Sequence, residues 1–310
     1  MIELEGLAKT YADGTRALSG VDLTLDRGMV GLLGPNGAGK TTFLSILVLA
    51  LEPSAGRRVY DGLDAARARE RAAIRCSIGY LPQDFRPLPG LSGREYLLHL
   101  ARLRGVDLDR RALDRRVEGL LRAVGLAEAA DRRAIEYSGG MQRRLGVAQA
   151  IVHSPRLLVV DEPTAGLDPE ERIRFRALIG EVAERTAVLL STHIVEDVEA
   201  TCPRLVVIGK GRLLFDGTPT ELLSGAAGRL FRVPAGEPLP PGAVEVTYRA
   251  DREGAVERVV WSETPIEGAA PRPAGLEEAY GAFLALRGLA ADEGEGREPR
   301  AANLRMEERP

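Results

Sequence analysis

Residues 30–41 read VGLLGPNGAGKT, an apolar strand followed by a glycine-rich loop and the beginning of a helix. The part from Gly34 to Thr41 fits the pattern GxxxxGK(S/T), and a strand before it with a helix after it is the context of a P-loop. Glycines let backbone N–H groups converge on phosphate oxygens, and the helix N-terminus adds partial positive charge. The segment therefore predicts a phosphate-binding site.

Two side chains of this loop add to its chemistry. Lys40 supplies a positive charge for the β- and γ-phosphates of a nucleotide, and the Thr41 hydroxyl is suited to ligating Mg²⁺. The chain has few lysines, namely Lys9, Lys40 and Lys210, so a lysine inside the motif is significant. The predicted phosphate-binding residues are Gly34, Pro35, Asn36, Gly37, Ala38, Gly39, Lys40, Thr41 and Thr42.

An apolar strand that ends in two acids is the second candidate element. Residues 157–162 read LLVVDE, and ligands bind at the carboxyl ends of the strands in parallel sheets. We expect Asp161 to hold Mg²⁺, directly or through water, which leaves Glu162 to orient and deprotonate an attacking water. Many strands end in Asp-Glu by chance, so the P-loop upstream is what makes this pair significant.

A second glycine-rich helix start occurs at residues 137–142, YSGGMQ. Glycines before a helix N-terminus again form a potential anion site, although an ordinary capped helix has the same sequence pattern. One chain does not need two such sites for one triphosphate. We therefore expect a dimer in which Ser138, Gly139 and Gly140 meet the nucleotide held by the other subunit.

Composition and charge narrow the class of protein. The 310 residues carry a net charge of −3, which does not indicate a nucleic-acid partner. Cys76 and Cys202 lie in no metal-binding spacing, so we expect two small core residues in a reducing compartment. The N-terminus lacks a secretory signal pattern, and the longest apolar run, Phe43–Leu51, is about half of a membrane span. A cytoplasmic protein is expected.

Strand and helix patterns alternate over residues 1–225. Alternating apolar residues predict strands near the N-terminus, for example at Val21–Leu25. Helical periodicity takes over at about residues 90–150, where Ser92 and Glu95 have the spacing of a capping box. Strands then return. The pattern predicts an α/β fold with a largely parallel, doubly wound sheet and an inserted α-helical subdomain.

Residues 226–288 differ in composition, because proline and glycine become frequent there. Weak strand patterns at Val244–Tyr248 and Val256–Trp261, with a helix at Leu276–Leu286, predict a small C-terminal α+β extension. It is either a regulatory unit or a support for dimerisation. The charged residues 289–310 predict a disordered tail.

The motifs together resemble those of the ATP-binding cassette proteins, the ATPase subunits of ABC transporters. GPNGAGKTT corresponds to the Walker A motif of that family, SGGMQ to its signature loop and LLVVDEP to its Walker B motif, in the family's order over residues 1–225. Tyr137 departs from the pattern, since leucine is usual at this packing position. The resemblance implies a P-loop NTPase core with an antiparallel β subdomain beside the helical insert.

The resemblance also implies roles for residues outside the three motifs. Gln83 matches the Q-loop glutamine, which contacts Mg²⁺ or the attacking water and senses the membrane partner. Asp168 matches the D-loop at the dimer interface, and His193 matches the switch histidine that contacts the γ-phosphate. Tyr11 matches the aromatic residue that stacks on adenine. We thus expect Gln83 and His193 to act in catalysis with Glu162. The expected Mg²⁺ ligands are Thr41, Gln83 and Asp161.

The function implied by the resemblance is that of an ATP-hydrolysing subunit with ATP and Mg²⁺ as cofactors. It would drive a separately encoded transmembrane permease through ATP-dependent closure of a homodimer, or of a heterodimer with another cassette. The chain would lie in the cytoplasm, peripheral on the inner face of the cell membrane, with the permease docked near Gln83–Pro89. The sequence is similar to that of the ATPases of bacterial drug, antibiotic and polysaccharide exporters at Thr192–Ala200, Gly217–Glu221 and Leu276–Tyr280.

Two other functions compete with this interpretation. A soluble ABC ATPase acting in nucleic-acid repair or translation is one, but the sequence shows neither a long coiled-coil insert nor a second cassette. A non-hydrolysing or regulatory P-loop protein is the other, and the presence of both Glu162 and His193 argues against it. No nucleic-acid partner is therefore expected.

Overall fold

The strand that precedes the P-loop lies inside a six-stranded sheet. In the computed structural model, which describes residues 1–164, 167–250 and 256–289, this strand has parallel neighbours on both sides. The strand at one edge is antiparallel. In spatial order the strands are β10 (Arg212–Gly217), β9 (Arg204–Gly209), β3 (Gly28–Leu33), β8 (Ala187–Ser191), β7 (Leu157–Asp161) and β6 (Ile78–Leu81). The predicted α/β sheet is confirmed.

Helices cover both faces of this sheet. Side chains alternate along β3, so this strand presents apolar residues to the helices on each face. Val30 and Leu32 belong to one apolar core, with residues of the first two helices. Met29 and Leu33 belong to another, with residues that follow β7 and β8. The helices are α1 (Lys40–Leu47), α2 (Ala68–Cys76), α6 (Pro169–Ala183), α7 (Val195–Thr201) and α8 (Pro219–Ser224).

A smaller antiparallel sheet packs over α1. Ile2 and Leu4 of its first strand are buried, as are Val21 and Leu23 of its second, and all four share the core of α1. The strands, in spatial order, are β2 (Arg16–Leu25), β1 (Ile2–Thr10), β4 (Ala55–Tyr60) and β5 (Leu63–Asp64). The expected antiparallel β subdomain is confirmed.

The helical insert has a core of its own. The capping box is present, because Ser92 N–H donates to Glu95 Oε2 at 2.9 Å and Glu95 N–H donates to Ser92 Oγ at 3.2 Å. Tyr137 is buried, and its hydroxyl donates to the Ala129 carbonyl at 2.6 Å. The helices are α3 (Gly93–Leu103), α4 (Arg110–Ala123) and α5 (Gly139–Ile151), with single 3₁₀ turns at Ala127–Ala129 and Ala134–Glu136.

Beyond α8 the chain forms a four-stranded antiparallel sheet and a helix. The helix packs against α7, α8 and the second strand of this sheet. The elements are β11 (Leu230–Pro234), β12 (Val244–Ala250), β13 (Val256–Trp261), β14 (Ala270–Pro271) and α9 (Leu276–Ala285). An α+β extension is therefore present. The predicted disordered tail lies, from residue 290 onward, outside the described residues.

The two cysteines lie in different surroundings. Cys202 is buried as expected, and burial raises the pKa of its thiol to about 11. The expectation of a core position is wrong for Cys76, which is exposed at the end of α2. This helix buries only Ile74, and a residue two positions further along a helix lies on the opposite face.

Within the described residues, no helix combines the length and the apolarity that crossing a bilayer requires.

Candidate functional site

The Lys40 side chain is folded over its own loop. Its Nζ donates to the carbonyl oxygen of Pro35 at 3.1 Å and to that of Gly34. Burial lowers the pKa of Lys40, and the carboxylates of Glu162 and Asp161 oppose that shift. Phosphate oxygens would offer the ammonium group stronger, charge-assisted hydrogen bonds than these neutral carbonyls. The loop is therefore suited to exchange its internal contacts for a phosphate.

Close backbone contacts fix the shape of the P-loop. Gly39 is the N-cap of α1 with φ 99°, and a Cβ there would lie 2.6 Å from the Ala17 carbonyl oxygen. Glycine is therefore required at this position. The β9–β10 hairpin supports the loop from outside, since Gly211 N–H donates to the Ala38 carbonyl at 2.9 Å.

One cleft of about 640 Å³ brings together most of the predicted site. The P-loop forms one side, and the residues at the carboxyl ends of β7 and β8 form another. The predicted residues that line it are Tyr11, Pro35, Asn36, Gly37, Ala38, Gly39, Lys40, Thr41, Thr42, Gln83, Asp161, Glu162 and His193. Gly34 borders an adjoining cavity between the P-loop and α9.

Asp161 ends β7, is buried and lines the cleft. Burial raises the pKa of Asp161, and the charges of Lys40 and Arg143 oppose that shift. Thr41, Asp161 and Gln83 border the same cleft, and their side chains carry a hydroxyl, a carboxylate and an amide oxygen. Such oxygen donors fit Mg²⁺, which proteins hold with one or two carboxylates together with substrate phosphates. In the described part of the chain, this cleft included, no group of three His, Cys, Asp or Glu side chains forms a metal site on its own, so Mg²⁺ here would depend on the phosphates of a nucleotide as well.

Glu162 is held through both its backbone and its side chain. Its φ is 48°, an unusual value for a residue with a side chain, and its N–H donates to the Ser191 carbonyl at 2.8 Å. Its Oε2 lies 2.7 Å from Nδ1 of His193, whose side chain is 65% exposed. The contact fixes the direction of the carboxylate and leaves the imidazole at the mouth of the cleft.

Tyr11 lines the cleft and is 40% exposed. Its hydroxyl is 3.0 Å from Oγ1 of Thr42, the last residue of the P-loop segment. The Lys9 ammonium lies 5.6 Å from the centre of the ring. An exposed aromatic ring beside the phosphate loop is suited to stacking on a nucleotide base.

The second glycine-rich helix start does not line this cleft. Ser138 is the N-cap of α5, and its Oγ accepts from Met141 N–H at 3.3 Å. Gly139 and Gly140 border a separate depression of about 450 Å³, which Gln83 also lines. A single chain therefore does not bring the two glycine-rich helix starts to one site.

Asp168 also lies outside the cleft, at the beginning of α6. Its Oδ1 accepts from Glu171 N–H at 2.8 Å, so its side chain caps the helix. Any contact of Asp168 with nucleotide or with another subunit stays a prediction.

Sequence reasoning missed Arg143, which follows the signature loop in α5. Its guanidinium donates to the Asp161 carbonyl at 2.9 Å, and also to the carbonyls of Glu162 and Gln83. The sequence offers one signal, namely an arginine one turn into a helix that begins with a candidate anion loop. That position alone does not show which face of α5 meets the cleft.

The fold and the cleft define a P-loop nucleotide hydrolase, and the comparisons with known proteins give its family. A family model described as ABC transporter matches residues 18–165. The daunorubicin/doxorubicin resistance ATP-binding protein DrrA of Streptomyces peucetius is 39% identical over 236 residues, which are 75% of this chain and 69% of that protein. The uncharacterized ABC transporter ATP-binding protein YxlF of Bacillus subtilis is 36% identical over 249 residues, 80% of this chain and 81% of that one. The chain belongs to the ABC transporter family, as an ATP-binding subunit.

Solved structures agree with this assignment. The ATP-binding subunit of an ABC transporter has a TM-score of 0.66 at 28% identity, over 72% of this chain and 92% of that one. A dimeric bacterial ABC transporter cassette has a TM-score of 0.65 at 25% identity, over 70% of this chain and 98% of that one. The same cassette is known in a dimeric post-hydrolysis state bound to ADP and Pi. The protein is an ATPase, and transport is favoured over the nucleic-acid alternative.

Proposed function

We propose that two copies of the chain, or this chain and a similar cassette, enclose ATP between them. The observation that carries the proposal is the separation of the two glycine-rich helix starts, since Lys40 lines the cleft whereas Gly139 and Gly140 border another depression. In a head-to-tail dimer, Ser138, Gly139 and Gly140 of one chain complete the cleft of the other, with Asp168 at the interface. The dimeric structure of a similar cassette supports this arrangement.

Binding of ATP uses the P-loop and the end of the cleft. The backbone N–H groups of the P-loop, Gly34–Thr42 with the exception of Pro35, and the Lys40 ammonium hold the phosphates, and Tyr11 stacks on adenine. Thr41, Asp161 and Gln83 hold Mg²⁺, directly or through water. The ion, when bound, reduces the negative charge of the β- and γ-phosphates.

Hydrolysis depends on Glu162. Its carboxylate takes a proton from water while the water oxygen attacks the γ-phosphorus, and the bond to the bridging oxygen breaks to leave ADP and phosphate. The 2.7 Å contact with His193 keeps the carboxylate oriented. The imidazole, which is 65% exposed, contacts the γ-phosphate once ATP is bound. Gln83 responds to the partner, and its position at the border of both the cleft and the depression beside α5 supports this role.

The ATPase domain, residues 1–225, drives a separately encoded transmembrane permease. The chain is cytoplasmic and lies peripherally on the inner face of the membrane, with the permease in the depression near Gln83–Pro89, which Phe85 and Arg86 also line. Residues 226–288 form a separate small extension. Export is favoured by the likeness to DrrA, which is described as a daunorubicin/doxorubicin resistance ATP-binding protein.

The test is light scattering after size-exclusion chromatography of Glu162→Gln, with and without Mg-ATP. Removing the base should lower the hydrolysis rate by about 10²–10⁴-fold and leave binding intact, so the closed dimer accumulates when ATP is present. Glu184→Gln, an exposed acid at the end of α6, is the matched control and should hydrolyse ATP normally. A Glu162→Gln chain that binds ATP and stays monomeric contradicts the composite site, and a normal hydrolysis rate contradicts the role of Glu162.

A further inference from the structure

The side chain of Arg143 reaches from α5 to the backbone of two different loops. Its Nη2 donates to the Asp161 carbonyl at 2.9 Å and to the Glu162 carbonyl, while Nε donates to the Pro163 carbonyl at 3.1 Å. Its Nη1 donates to the Gln83 carbonyl. One side chain of the helical insert therefore binds the loop that follows β7 and the loop that follows β6.

Burying the charged guanidinium of Arg143 requires its partial desolvation, which is unfavourable. Burial lowers the pKa of Arg143, and the charges of Asp161 and Glu162 oppose that shift. An arginine remains charged even so, because its ordinary pKa lies far above neutrality. Its acceptors are neutral carbonyls, so desolvation of the guanidinium is offset by several hydrogen bonds and by three nearby acids, of which Asp84 is the third, rather than by one ion pair.

The backbone of Glu162 needs such support. Its φ of 48° lies in the left-handed region, which is unfavourable for a residue with a side chain and persists only where the surroundings hold it. Its N–H donates to the Ser191 carbonyl at 2.8 Å, and its own carbonyl accepts from Arg143. The peptide groups on both sides of the Glu162 side chain are therefore anchored, and the second anchor belongs to the helical insert.

We infer that Arg143 is a positioning residue that fastens the Gln83 loop and the Glu162 loop to the helical insert. The inference rests on the proposed role of Glu162 as the base. Because α5 begins at Gly139, any displacement of the insert by a partner's nucleotide or by the permease reaches both loops through one guanidinium. The rate of hydrolysis then depends on the position of the insert, whereas binding of ATP by the P-loop does not.

An arginine is needed for this task, because its planar fork presents five N–H donors in fixed directions. Three of its nitrogens share the carbonyls of the two loops here. A lysine keeps the charge and presents its donors from a single nitrogen, so it can serve one loop well but not both. Arg143→Lys and Arg143→Met therefore separate the charge from the geometry.

The experiment uses the full chain with Arg143→Lys and Arg143→Met, and with Arg116→Met as a matched control. Arg116 of α4 lies in the same insert, is partly buried and donates to the Val152 carbonyl and, at 2.7 Å, to Ser154 Oγ, but it does not line the cleft. For each variant two quantities are measured: the Kd of a fluorescent ATP analogue and the hydrolysis rate at saturating Mg-ATP. Thermal melting of each variant defines the temperature range in which it is folded.

We expect Arg143→Met to lower the saturated hydrolysis rate by about 10–100-fold while Kd changes by less than about twofold. Arg143→Lys should recover part of the rate, and Arg116→Met should hydrolyse within about twofold of the original chain. In the background of Glu162→Gln, Arg143→Met should cause little further loss, since residues that act as a unit are not additive. If Arg143→Met does not fold, Arg143→Lys alone decides, with a reduced rate at unchanged Kd as the supporting result.

Three results would overturn the inference: a rate that Arg143→Met leaves unchanged, a Kd that rises as much as the rate falls, or an Arg116→Met variant that is equally slow. An Arg143→Lys rate equal to that of the original chain would overturn it as well, because charge alone would then suffice. The proposed function fails separately, through a normal rate in Glu162→Gln. A slow Glu162→Gln with a normal Arg143→Met rejects the positioning role and keeps the base.

Discussion

The helix starts at α1 and α5 have similar sequences and different surroundings. In α1 the N-cap is Gly39, in the left-handed region and, within the described structure, without a side-chain cap. In α5 the N-cap is Ser138, with φ −60° and ψ 162°, and its hydroxyl already accepts from Met141 N–H. The N–H groups at the start of α1 are thus left for a ligand, whereas α5 satisfies one of its own.

The neighbours of the two helix starts differ more than their backbones. The first is followed at once by Lys40 and faces Asp161 and Glu162 across the cleft. The second is followed by glycine, and the nearest arginine of α5, Arg143, is directed to backbone carbonyls. A glycine-rich helix start is therefore not a complete site, and what it can do depends on the charges that the fold brings to it.

The sharpest test of this contrast is Lys40→Met. Loss of a charged donor to phosphate should weaken ATP binding by about 100-fold, since a charge-assisted hydrogen bond contributes roughly 1.5–3 kcal/mol. Titration of a fluorescent ATP analogue measures the effect. Arg185→Met is the control, because Arg185 is an exposed cation that lines neither the cleft nor the cavity beside the P-loop, and it should bind ATP normally. Equal weakening in both variants would contradict a special role for Lys40.

A change at the start of α5 should leave ATP binding by the single chain intact and affect dimerisation instead. Gly139→Asp adds a carboxylate where a Cβ meets nothing within 4 Å, so the fold and ATP binding by the single chain should be unchanged. Repulsion of the partner's triphosphate should abolish ATP-dependent dimerisation and lower hydrolysis by about 10–100-fold. Gly119→Asp, at an equally open glycine of α4, is the control. A Gly139→Asp chain that still dimerises with ATP would rule out this loop as the second half of the site.

Alanine substitutions compare how tightly the backbone is constrained at the two helix starts. Gly39→Ala combines φ 99° with a Cβ placed 2.6 Å from the Ala17 carbonyl, so the free energy of unfolding should fall by about 1–3 kcal/mol. Gly139→Ala meets no such contact and should be neutral or stabilising by up to about 1 kcal/mol. Urea denaturation measures both, and similar losses would show that the two starts are equally constrained.

The smallest expected effect is a pH dependence of stability, and it arises from His153, just beyond the C-terminus of α5. Burial lowers the pKa of His153 from 6.5 to about 4, and its Nε2 lies 3.1 Å from the Ile78 carbonyl of β6. The unfolded chain therefore takes up this proton first as the pH falls. The neutral His153 contributes to the free energy of unfolding in full above about pH 6.5, and this contribution is lost as the pH falls toward 4. Because the ring is partly exposed, we expect a loss of about 1 kcal/mol between about pH 6 and pH 5.

Urea denaturation at several pH values tests this titration. His153→Asn should flatten the decline in this window, and His99→Asn, at an exposed histidine of α3, should not. An unchanged slope in His153→Asn would assign the decline to other groups.

Local patterns predicted much of the fold and most of the cleft. The P-loop, the capping box at Ser92 and the acids at the end of β7 each depend on neighbours within a few residues, so their sequences suffice. The resemblance to a family added Gln83 and His193, and the structure places both in the cleft. Which subunit Gly139 serves stays a prediction, because one chain carries no information on its partner.

Long-range contacts were beyond the sequence patterns. The strand β4 contains Arg58, which is 4% exposed because its guanidinium donates to the Ile46 carbonyl at 2.9 Å and pairs with Glu52 at 2.7 Å. A buried arginine breaks the alternation that marks a strand. The role of Arg143 was not predicted for a related reason: its acceptors are peptide carbonyls of distant loops, and every residue has such a carbonyl.

The contrast between the two cysteines makes the chain a ready substrate for site-selective labelling. Maleimides react with thiolates that solvent can reach, and the Cys202 thiol is buried with its pKa raised to about 11. Cys76 is exposed at the end of α2. A dye or spin label will therefore attach to one position of the natural sequence, and in a homodimer it will appear as a symmetric pair whose separation reports opening and closing without any engineered residue.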